Sequence, residues 1–181
     1  MQATEFLAID ASERAQALGA WIDRQPDKAV YADQLAGELQ AMESVPFKAK
    51  TGNGDTQLIC FLEAEGMRHP LADLAQAGSP ATRAILLAHA STSASVTGDL
   101  ADIGYVLARE AVVIDPSCQA AVQAFEDSLY GYTDEVFDDI LGWHLERPDV
   151  ARMALAIVHK VRDSWSPEHV QRLVELEALL A

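Results

Sequence analysis

The placement of proline restricts this fold more than any other sequence feature. Pro26, Pro80, Pro116, Pro148 and Pro167 each stand where an apolar pattern with helical spacing begins. At the first helical position proline sets φ without losing a needed hydrogen bond. Alanine is abundant and β-branched residues are sparse over most of the length, which favours helix throughout. The chain is therefore predicted to be all-α.

The helices are expected at about 12–25, 27–44, 56–67, 71–77, 80–91, 97–113, 116–130, 134–146, 149–164 and 167–180. Almost no loop separates the first two, so they are expected to pack antiparallel as a hairpin. Residues 45–56 break the pattern with Gly52, Asn53, Gly54 and Asp55, which is turn chemistry and predicts a surface loop. Lys48 and Lys50 lie close by, but no GKS or GKT follows, so a phosphate cradle is not the reading. Ser91 to Ser95 reads as a brief polar link between helices. A length of 181 residues fits one domain, with a hairpin and loop over 1–56 and stacked helix pairs over 57–181.

The net charge of −15 disfavours nucleic acid, whose binding needs Lys and Arg on the phosphates, and disfavours anionic membranes. A basic protein partner is compatible with it. The two cysteines, Cys60 and Cys118, stand outside any metal-ligand spacing and read as buried thiols. The first residues lack a basic, then apolar, leader pattern, and no apolar run reaches the length of a membrane span. A cytoplasmic location is expected.

The densest chemistry lies between Glu110 and Glu146, where nine carboxylates occur without one Lys or Arg. At 100° per residue, Val136, Phe137, Ile140, Leu141 and His144 share one arc of the 134–146 helix, with Trp143 at its edge. Asp134, Glu135, Asp138, Asp139 and Glu146 fill the opposite arc. The first two suit the helix dipole. Asp138 and Asp139 have no local benefit, because Asp is a poor mid-helix residue and like charges four apart repel. A local cost of that kind is expected at a functional surface. The candidate partner-binding residues are Glu126, Asp134, Glu135, Asp138, Asp139, Trp143 and Glu146, with Tyr130 or Tyr132 as further aromatic area. The histidines (69, 89, 144, 159 and 169) are scattered and predict neither a metal site nor a catalytic one.

Pro80, Pro116 and Pro148 recur at intervals of 36 and 32 residues, and each is followed eight residues later by alanine: Ala88, Ala124 and Ala156. With the run from Arg147 to Val158, this resembles HEAT-type helical repeats over residues 79–181. The resemblance implies antiparallel helix pairs, stacked as a bundle or a short solenoid that offers an interaction surface.

Together these features predict a protein-binding inhibitor with no cofactor, of the kind bacteria use as immunity proteins against basic toxins or enzymes. The alternatives are a helical-repeat adaptor or regulatory subunit that holds a peptide or partner helix, and an enzyme whose residues converge only in three dimensions.

Overall fold

A computed structural model describes residues 9, 11–43, 69–96, 101–129 and 133–180. Among the described residues the protein is all-helical and has no strand. The helices are α1 (Ala11–Asp23), α2 (Lys28–Glu43), α3 (Pro70–Ala75), α4 (Pro80–Val96), α5 (Ala101–Ile114), α6 (Gln119–Ser128), α7 (Thr133–Glu146), α8 (Pro148–Val161) and α9 (Pro167–Leu180). A 3-10 turn, Arg162–Ser164, joins the last two. The loop expected at 45–56, the helix at 56–67, Cys60, Tyr130 and Tyr132 lie outside the described residues.

Pro80, Pro148 and Pro167 are each the first residue of a helix, as expected, and so is Pro70, whereas Pro26 precedes the Asp27 cap and lies outside α2. Pro116 differs. The Asp115 carboxylate accepts hydrogen bonds from the Ser117 backbone N–H (2.9 Å) and hydroxyl (2.6 Å), and this side-chain turn delays α6 until Gln119. Of the three recurring alanines, Ala88 and Ala124 are buried and Ala156 is exposed.

The polar link expected at 91–95 is helical. Ser91 is fully buried and donates its hydroxyl to the Gly104 carbonyl at 2.7 Å, and Thr92 donates to Ala88 at 3.1 Å. With their hydroxyls satisfied by backbone carbonyls, these residues serve as small contact residues between α4 and α5. That pair is the most extensive packing in the described protein.

The first two helices do not pack lengthwise on each other. Asp27 caps α2 immediately after the link, accepting from the N–H groups of Ala29 and Val30. Each helix then buries its apolar side elsewhere, α1 against α3 and α2 against α3 and α4. His69 caps α3 from a buried position: its Nδ1 accepts from the Leu71 N–H at 3.2 Å. Burial holds its pKa down at about 3, so the ring is neutral and able to accept that bond. Ser79 caps α4, and the Thr82 hydroxyl beneath it bonds to Asp33 of α2. A Cβ on Gly78 would lie 2.5 Å from the Thr82 methyl, so only glycine leaves room for that clasp.

Buried side chains from each of the described helices join one hydrophobic cluster. Within it, α4 is the hub of the first six helices, whereas α7 packs on α8 and α9. The seam between these groups is where the acidic stretch lies. No described helix is long and apolar enough to cross a membrane.

Candidate functional site: the two sides of the acidic helix

Helix α7 starts with Asp134 and Glu135 in its first turn, where carboxylates meet the positive end of the dipole. It stops at Glu146 because Pro148 must begin the next helix, with Arg147 between them outside helical geometry (φ −140°, ψ 68°). Its buried side is formed by Val136, Phe137, Ile140 and Trp143. This corrects the projected arc, in which Leu141 and His144 point inward and Trp143 lies at an exposed edge. Trp143 is only 7% exposed, Leu141 is partly out, and His144 and Leu145 are exposed, Leu145 at 86%.

The rotation has a physical cause on the neighbouring helices. The Trp143 ring packs against Phe125 of α6, with centroids 6.0 Å apart, and Phe125 in turn meets Tyr105 of α5 at 6.1 Å. The Arg109 guanidinium lies over the Trp143 ring at 5.9 Å. A large amphipathic ring gains more area and contacts there than Leu141 would. Trp143 is therefore part of the core and does not serve as an exposed anchor.

Asp139 shares that inner edge. Its carboxylate accepts the Tyr105 hydroxyl at 2.7 Å and pairs with Arg109 at 2.7 Å, and its side chain is 13% exposed. Burial pushes the carboxyl pKa up, and the two donors pull it back. The Tyr105 hydroxyl is pushed far up, first by burial and then by its bond to Asp139. The mid-helix cost of Asp139 thus has a structural counterpart that local sequence does not reveal.

Other carboxylates of the stretch are also paired within the chain. Glu126 meets Lys160 of α8 at 2.6 Å, Glu110 pairs with Arg83, and Asp134 pairs with Arg172 of α9 and lies 3.5 Å from His169. The cations missing from 110–146 arrive from α4, α5, α8 and α9. Asp138 is different: its side chain is 80% exposed and its contact with Arg172 is a long 4.0 Å. Glu135 and Glu146 are exposed and have no ion pair among the described residues.

The seven candidates therefore separate. Glu126, Asp139 and Trp143 fasten α7 and α8 to α5 and α6. Asp134, Glu135, Asp138 and Glu146 face outward. Leu141 and Leu145 join them on the outer face, where the sequence projection missed them. Their i, i+4 spacing next to Asp138 was the available signal.

Among the described residues no group of three or more His, Cys, Asp or Glu is placed to hold a metal ion. An open groove of about 530 Å³ runs along α9. Comparison with protein-family models, curated proteins and solved structures finds no match.

Proposed function

We propose that this protein is a cytoplasmic binding protein, an immunity-type inhibitor that neutralises a basic toxin or enzyme through the outer face of α7. One observation carries the reading: Glu135, Asp138 and Glu146 have little or no intramolecular compensation and stand beside the exposed Leu141 and Leu145. Solvent-facing carboxylates steer a cationic surface inward, and exposed leucines supply apolar area for contact. The leucines take the anchoring part that the sequence assigns to Trp143.

Affinity purification from the native host, with mass spectrometry of what elutes, identifies the partner. Glu135→Lys combined with Asp138→Lys is expected to slow association about tenfold or more at low salt while the far-UV circular dichroism stays unchanged. Normal association by that variant removes the proposal. Asp139 is excluded from the test because its loss would disturb the seam. A second reading, an adaptor that holds a peptide or partner helix, draws support from the groove along α9.

A further inference from the structure

Among the described residues helix α9 is held chiefly on one side. It buries Leu173 and Leu176 and packs mainly on α7, with Arg172 over the Phe137 ring at 5.1 Å. On the flank towards α8, a 2.6 Å bridge joins His159 to Glu177. The groove between them is floored by Trp165, Val170, Leu173 and Val174. Val170 and Val174 remain exposed, Val174 at 53%, and Ala178 continues the same i, i+4 row. Eight residues of that row extend about 12 Å, two turns of a docked helix. Ridges four residues apart are the surface into which another helix packs its own ridge.

The rim indicates the charge of the occupant. Asp163 is fully open to solvent and Glu177 lines the groove, while Glu168 and Glu175 are exposed on the next face of α9. Two basic side chains also line the groove, Arg162 facing Asp163 at 3.7 Å and His159 bridged to Glu177, whereas Glu168 and Glu175 beside it have no ion pair among the described residues. An anionic helix would meet like charge here, and a helix with basic flanks would be attracted. We infer that this groove docks an amphipathic cationic helix of a partner protein, apolar residues on the Val170–Val174 row and Lys or Arg against the acidic rim. The groove is a different surface from the outer face of α7. The inference extends the peptide-holding reading, and the substitutions expected to weaken binding lie on α9 alone.

The test uses the full ¹⁵N-labelled chain and a synthetic amphipathic Leu/Lys peptide, followed by the Trp165 indole resonance (assigned with Trp165→Phe) and by backbone shifts. Saturable shifts confined to residues 159–178 are expected. Val170→Asn with Val174→Asn, at exposed positions, is expected to weaken binding about tenfold or more without loss of helix content. A peptide of the same composition with its leucines scattered around the helix should bind weaker by a similar factor, about tenfold. The inference is overturned if the scattered peptide binds equally well, since charge alone then accounts for the affinity. Unchanged binding by the double variant, or equal binding of a Leu/Glu peptide, also overturns it. So does a dimer in sedimentation that Val170→Asn and Val174→Asn dissociate, because the row then covers a second copy of this chain. An unchanged peptide affinity in the Glu135→Lys, Asp138→Lys variant separates this site from the α7 face.

Discussion

Asp138 and Asp139 are adjacent in sequence and stand on one helix, yet 100° of rotation gives them different physics. Asp138 is hydrated and nearly alone on the outer face, with Arg172 4.0 Å away. Asp139 is largely removed from water and carries two close donors, Tyr105 and Arg109. A desolvated carboxylate persists only when its partners replace lost hydration, whereas a solvated one needs none. The pair shows that clustered acids are not one feature: the same composition fastens helices on one edge and presents charge on the other.

The largest expected effect lies beneath the inner edge. Phe125→Ala removes the ring on which Trp143 and Tyr105 rest, and should cost about 3–5 kcal/mol in denaturant unfolding. Leu145→Ala on the outer face should change stability by about 0.5 kcal/mol or less. Equal losses would erase the distinction between the two sides.

Next comes the neighbouring pair of acids. Asp139→Ala leaves the Tyr105 hydroxyl and the Arg109 guanidinium short of an acceptor and should cost about 1–3 kcal/mol. Asp138→Ala should stay within about 0.5 kcal/mol of the parent. The comparison fails if Asp138→Ala proves the more costly in the same denaturant series.

Titration sharpens it further. The Asp139 carboxyl should titrate above its ordinary value of 3.8, as followed by carbon chemical shift, and Tyr105→Phe should raise it again by removing a donor. The sign for stability follows from the raised folded value. Folding takes up a proton between the two pKa values, so this contribution is full below the ordinary value and declines as pH rises through the folded one. A carboxyl that titrates below its ordinary value would mean that the donors outweigh burial.

The exposed ion pair at the helix start contributes little. Asp134→Asn should cost about 1 kcal/mol or less, because its partners Arg172 and His169 are half in solvent. A larger loss would move Asp134 from the outer face to the inner one.

The helical class was legible because its signals are local. A proline at the first turn and an apolar row at helical spacing act within a few residues, and Pro80, Pro148 and Pro167 begin helices accordingly. Pro116 misled by three residues because the Asp115 side chain builds a turn of its own. Ser91 misled because its hydroxyl partner, Gly104, lies on another helix. The candidate site was half legible for the same reason. Periodicity locates an acidic face but not what lies opposite its edge, and Tyr105 is 34 residues from Asp139 in sequence. Trp143 was assigned outward on a projection that could not include Phe125.

The one-sided seating of α9 also bears on how the chain comes apart. Protection from hydrogen exchange depends on the smallest opening that exposes an amide, and a helix packed chiefly on one neighbour opens without the rest. Amides of α9 are therefore expected to exchange at a lower free energy than those of α4, whose neighbours surround it. When α9 lifts, Arg172 and His169 leave with it, and α7 displays its full first-turn charge until the helix reseats.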